Sequence, residues 1–500
     1  MGLFHELCRR WEPLGLERLA LVSPAGQRSF GDLRERALRA ARLLIAHGLQ
    51  PGEVLAVQLP RCPELLELHL GALAIGVVTL PVHDRAPPAE LDWLLRDSDA
   101  RMVVLADPSS LPPPGEGRSL RVLGLDRLRQ RLALSPPLSW PAEQGGSSPA
   151  EPGDTALACL LYTSGTTGRP KGAMISHGNL RASIEALHEA WRWSPQDHLL
   201  HVLPLFHVHG LVVAQHGALW AGARTTWMDR FEPEEALRLL ERLGCSVFMG
   251  VPTHYQRLLA LPEEVRPDLS RVRLFTSGSA PLSAEAHRAF QGRFGHRILE
   301  RYGMTEVGIV LSNPYEGERR PGSVGLPLPG VQARIVAEEG RDCAPGEVGE
   351  LWIRGPSVFQ GYLGQPEASA QALVGGWMHT GDLALFEDGG RIRLVGRARE
   401  LIISGGFNVY PAEVEAVLAE VEGVDEVAVY GRPDADKGER VCAAVVPWPE
   451  DSSAELMARL KDRAEERLSP YKRPVEYRMV HSLPRNALGK LQRHLLSGES

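Results

Sequence analysis

Apolar and polar positions fall into two alternating rhythms along roughly the first 300 residues. Short apolar runs at 53–59, 77–81 and 101–106 read as strands. The stretches 64–74 and 89–95, with apolar residues three and four apart, read as helices. The alternation resumes at 199–203, in the apolar stretch after Gly210, and at 225–228, 234–243, 246–249 and 272–276. Strand and helix at this spacing predict parallel sheets covered by helices. Residues 135–154, rich in Pro, Ser and Gly, read as a surface loop joining two such blocks. From about Val331 the pattern changes to short β segments (333–337, 349–354, 391–395) between Gly turns, a small β subdomain. Beyond Arg399 comes a compact α/β unit. Its helix at 454–468 puts Leu456, Leu460, Ala464 and Leu468 on one stripe, with Ser452 and Glu455 as a capping box. No internal repeat is evident.

Five hundred residues suffice for two or three domains. With 55 Lys+Arg against 62 Asp+Glu, no basic surface points to nucleic acid or to an anionic membrane. The longest apolar stretches are too short, and too interrupted, to span a bilayer. The six cysteines are scattered without a CxxC or a pairing with histidine, a usage that suits a reducing cytosol. Near the N-terminus Arg9, Arg10 and Arg18 are balanced by Glu6, Glu12 and Glu17, without the apolar core of a secretory signal. A cytoplasmic protein is expected.

The most informative segment is Tyr162-Thr-Ser-Gly-Thr-Thr-Gly-Arg-Pro-Lys171-Gly172, directly after a strand-like run. Glycines let backbone N–H groups close around phosphate; Thr163, Ser164, Thr166 and Thr167 add hydroxyls, and Lys171 adds a point charge. It is not a Walker A loop, because Pro170 stands where the second glycine belongs and Gly172 follows the lysine. Four further segments accompany it in order: Arg301-Tyr-Gly-Met-Thr-Glu306, Trp377-Met-His-Thr-Gly-Asp382, residues 396–411 beginning Gly-Arg-Ala-Arg-Glu, and Pro484-Arg-Asn-Ala-Leu-Gly-Lys490. Together the five resemble the signatures of the adenylate-forming enzymes: acyl-CoA synthetases, peptide-synthetase adenylation domains and luciferases.

That resemblance implies an α/β fold. A large N-terminal domain (1–398) would hold two parallel, helix-covered sheets and a small β-barrel-like subdomain (about 331–398). A small mobile C-terminal α+β domain (399–500) would carry the catalytic lysine. It also implies ATP, Mg²⁺ and coenzyme A. A carboxylate attacks the α-phosphate, releasing pyrophosphate, and a thiol then displaces AMP. Carried over by motif, the ATP contacts are Thr163, Ser164, Gly165, Thr166, Thr167, Gly168, Lys171, Ser279, Ala280, Glu300, Tyr302, Gly303, Met304, Thr305, Asp382, Arg397 and Lys490. Within them Tyr302 offers a flat face to adenine, Asp382 accepts from the ribose hydroxyls, and Thr166 and Glu306 present oxygens to Mg²⁺. Lys490 clamps carboxylate against phosphate and, with Thr166, Glu306 and His207, makes up the catalytic set. Ser404, Gly405, Gly406 and Phe407 would line the coenzyme A channel, and Arg399 would be the hinge between half-reactions.

Several stretches, among them Pro204-Leu-Phe-His-Val-His-Gly-Leu211 and Ser277-Gly-Ser-Ala-Pro-Leu282, are most similar to malonyl-CoA synthetases, the malonate/methylmalonate–CoA ligases. Arg301 is the discriminating residue: a guanidinium facing the acid pocket is costly unless a counter-anion arrives with the substrate, which a second carboxylate would be. His207, Ser277 and Gly278 complete the expected acid site, His209 facing either way. A structural pairing of Arg301 with Glu300 or another acid is the competing expectation. So are a ligase for monocarboxylic fatty or aryl acids and a stand-alone adenylation enzyme loading an acyl carrier protein.

Overall fold

The computed structural model describes residues 2–111, 120–139, 150–163, 170–404, 407–434, 437–449, 453–485 and 490–498. The chain divides into two compact units. One is Met1–Pro321, Gly325–Gln332 and Ile353–Met378; the other is Gly322–Val324, Ala333–Trp352 and His379–Ser500.

The first unit is built on two sheets. A six-stranded sheet runs in the order Arg121–Gly124, Met102–Leu105, Val54–Gln58, Val78–Pro81, Leu157–Thr163 and Lys171–Ser176. Its first five strands are parallel and the last folds back as a hairpin. A nine-stranded sheet has a parallel centre of Leu299–Met304, Leu274–Ser277, Val247–Gly250, His198–His201 and Arg224–Trp227. The predicted alternation therefore resolves into parallel sheets, with strand ends moved by one or two residues. The central strands are buried outright, which explains their continuous apolar runs.

Helix boundaries follow local chemistry. Ser29 caps Phe30–Ala46 reciprocally with Asp32, and Ser176 caps His177–Trp191 with Asn179. Pro233–Leu243 starts on proline and stops at Gly244, φ +59°. Helix Pro63–Ala74 is buried along its whole length, and a Cβ on Gly71 would stand 2.6 Å from the Ala37 carbonyl oxygen and 2.8 Å from Ala40 Cβ. The apolar stretch after Gly210 is neither strand nor regular α-helix: His209–His216 winds with π-helical bonding into the short α-helix Gly217–Ala221, all of it buried.

Strand Trp377–Phe386, its residues from His379 onward in the second unit, pairs antiparallel with Ile392–Arg397. A five-stranded sheet in the order Phe407–Val409, Ile402–Ser404, Gly438–Pro447, Val424–Asp434, with Glu476–Met479 beside Gly438–Pro447, follows it. Helix Ser453–Arg467 buries Leu456, Leu460 and Ala464, and Leu468 beyond its end is buried with them, the stripe expected from the sequence. Ser452 of the expected capping box lies outside the described residues. All six cysteines are free and buried. Among the described residues no helix is long and apolar enough to cross a membrane.

Candidate active site

Within the first unit the hairpin Leu157–Thr163/Lys171–Ser176 sets Thr163 opposite Lys171. Ser164, Gly165, Thr166, Thr167 and Gly168 lie outside the described residues. The Lys171 ammonium stands 5.2 Å from the centre of the Tyr362 ring, and the Tyr362 hydroxyl donates to Glu306 Oε1 at 2.9 Å. The lysine of the expected phosphate loop and the expected metal-binding glutamate are thus joined through one tyrosine that the motifs do not mark.

Strand Leu299–Met304 carries most of the remaining candidates. It is parallel to Leu274–Ser277, with Ser277 opposite Glu300, and antiparallel to Gly308–Ser312, with Arg301 opposite Ser312. Gly303 is obligatory, because a Cβ would strike the Gly308 carbonyl. Gly308 itself, at φ +66°, closes the turn that presents Thr305 and the buried Glu306. Tyr302 is buried, its hydroxyl 3.8 Å from Met304 Sδ. The buried Glu300 is engaged by His287 Nδ1 at 3.2 Å.

Arg301 is 4% exposed. No acidic side chain among the described residues forms an ion pair with it, and its Nε and Nη2 are buried without a hydrogen-bond partner. Burial pulls the guanidinium below the usual arginine range. The Arg301–Glu300 pairing expected as an alternative is absent. Other candidate polar atoms are unsatisfied too: Ser277 Oγ, His207 Nε2 and His209 Nε2 are all buried and unpaired. The two histidines separate. Burial, then Arg301, holds His209 well below the usual histidine range, and its Nδ1 meets Ser279 Oγ at 3.2 Å. His207, held down to about 4 by burial and then His83, packs against Phe206 with ring centres 4.2 Å apart and the planes tilted by 46°. His209 is therefore the histidine that feels the guanidinium. Ser279 and Ala280 are exposed just beyond the strand, Ser279 at φ +70°.

In the second unit Asp382 is buried opposite Arg397, whose Nε approaches Oδ1 at 2.6 Å. The Asp382 N–H donates to Thr380 Oγ1 at 3.1 Å, and that hydroxyl donates to the Leu351 carbonyl at 2.7 Å. Lys490 lies in the field of Arg397, Asp382, Arg399 and Glu400; desolvation first, then Arg397, lowers its ammonium below the ordinary lysine range. Arg399 sits in the 3₁₀ turn Ala398–Glu400. Of the coenzyme A candidates, Ser404 is buried and pairs with the exposed Phe407, which stacks on Tyr471 at 4.7 Å. Gly405 and Gly406 lie outside the described residues.

A family model described as AMP-binding enzyme matches residues 9–363, and one described as AMP-binding enzyme C-terminal domain matches residues 413–490. The chain is 34% identical to the mitochondrial malonate–CoA ligase of Homo sapiens, over 96% of this chain and 89% of that protein. It is 36% identical to the sulfoacetate–CoA ligase of Cupriavidus necator, over 93% and 91%, and 32% identical to a long-chain-fatty-acid–CoA ligase of Bacillus subtilis, over 94% and 90%. Among solved structures it is similar to ATP-bound MatB from Rhodopseudomonas palustris, with a TM-score of 0.90 and 38% identity over 100% of this chain and 99% of that one.

Proposed function

Because the chain belongs to the AMP-binding enzyme family, as an AMP-forming acid–CoA ligase that uses ATP and coenzyme A, we propose that its acid is a small dicarboxylate, malonate or methylmalonate. Relatedness by itself does not choose the acid, since relatives named for malonate, sulfoacetate and long-chain fatty acids match at similar identity. The observation that carries the reading is the buried, unpaired Arg301.

A guanidinium taken out of water without a counter-charge costs several kcal/mol, and a hydrocarbon chain returns none of it. Nε and Nη2, the two unsatisfied nitrogens, share one edge of the planar guanidinium, from which their N–H groups project side by side in the plane, the arrangement that takes both oxygens of one carboxylate. A distal carboxylate on Arg301 leaves the other carboxylate to attack the α-phosphate. A sulfonate, as in sulfoacetate, offers a similar anionic end.

Joining a carboxylate to a phosphate brings two anions together, so positive charge must be supplied where the bond forms. Lys490 and Lys171 are assigned that role, Lys490 at the reacting centre and Lys171 at the departing pyrophosphate. The buried carboxylate of Glu306, oriented by Tyr362, suits a hard cation, and Glu306 with Thr166 would hold Mg²⁺. When bound, Mg²⁺ neutralises charge on the leaving phosphates.

Pyrophosphate release with malonate, methylmalonate, succinate, sulfoacetate, butyrate, octanoate and benzoate tests the assignment. Malonate or methylmalonate is expected to give the highest kcat/KM. Butyrate or octanoate ranking above both would refute it.

A further inference from the structure

The guanidinium of Arg301 lies flat against Gly278. A Cβ built on that glycine would collide with Cζ and stand 2.5 Å from Nη1 and 2.6 Å from Nε. Three such similar approaches put the missing side chain over the plane of the guanidinium rather than at its edge. Gly278 does not need to be glycine for its backbone, because its φ lies outside the left-handed region. The strained position is its neighbour Ser279, at φ +70°. What the chain uses at 278 is the empty space itself.

We propose that Gly278 is a specificity-determining residue that acts through Arg301: its bare Cα is the floor on which the guanidinium rests, with the Nε/Nη2 edge turned to the distal anion of the acid. This rests on the dicarboxylate reading and adds a second residue to it. The colliding atoms are the free end of a long side chain and not backbone. Alanine at 278 is therefore accommodated by the guanidinium leaving its place, while strand pairing of Ser277 with Glu300 is untouched. The enzyme then loses the aimed charge without losing the residue that bears it.

The test compares the ratio of kcat/KM for malonate to that for butyrate in the purified full-length enzyme and in Gly278→Ala, Arg301→Met and the double variant. Gly278→Ala should lower the ratio by about tenfold or more, the loss expected when a charge-assisted bidentate contact is misplaced. Arg301→Met should lower it at least as far, and the double variant should match Arg301→Met, because the group that alanine would displace is already gone. Since methionine removes the collision, the alanine in that background also reports any direct harm to the fold. Losses that add in the double variant, or a parental ratio in Gly278→Ala, overturn the proposal. A parental ratio in Arg301→Met overturns the dicarboxylate reading instead.

Discussion

The Lys490 ammonium shares its surroundings with two arginines and two acids, and the balance of desolvation and Arg397 favours losing its proton. If its charge is what draws carboxylate and phosphate together, adenylate formation should fade as pH rises through that lowered value, since the lysine is charged only below it. Lys490→Ala should cut adenylate formation by about 10²-fold or more while sparing thioester formation from supplied acyl-adenylate. Equal loss in both half-reactions, measured by pyrophosphate release and by thioester yield, would remove Lys490 from the chemistry. At this scale the sequence was most legible where a residue's type conflicts with its setting. Arg301 stands out as a guanidinium in the slot before Tyr302-Gly303, expected to face the acid pocket, and the structure finds it buried and unpaired. Tyr362, which touches both Lys171 and Glu306, was not legible. It lies 56 positions beyond Glu306 in an unremarkable stretch, and only the folded chain brings the two together.

Strands were the readable elements, because burial on both faces leaves short runs of apolar residues bounded by turns and spaced between helical stretches. The π-wound segment His209–His216 was not readable as such. Apolar composition announces burial, but the choice of winding is made by neighbours, and a Cβ on Gly210 would strike the Pro204 carbonyl at its entry. Gly71 shows the same limit. Within helix Pro63–Ala74 a glycine reads only as a weak helix former, yet it is the point where Phe30–Ala46 crosses with backbone-to-backbone proximity. Gly71→Val should therefore destabilise the protein by about 1–3 kcal/mol or more through overpacking, seen as an earlier denaturant midpoint. An unchanged midpoint would mean that this crossing has slack.

Taken over the whole molecule, an unusual number of imidazoles are shut away in neutral form. Burial holds His177, His198 and His254 down to about 4 and His216 to about 3. His69 and His216 meet Nε2 to Nε2 at 2.9 Å. Unfolded, each would take up a proton near pH 6.5. Between that value and about pH 4 the unfolded chain binds protons that the folded chain refuses, so stability is complete above pH 6.5 and drains as pH falls. Thermal melting should show Tm dropping by roughly 5–10 °C between pH 7 and pH 5; a level Tm across that range would contradict it. The cysteines carry a different consequence. With every thiol enclosed, and with burial raising Cys62, Cys159 and Cys245 to about 12, an oxidant in solution meets no exposed thiolate on the native protein. Their protection travels with the fold, independent of whatever redox buffer surrounds it.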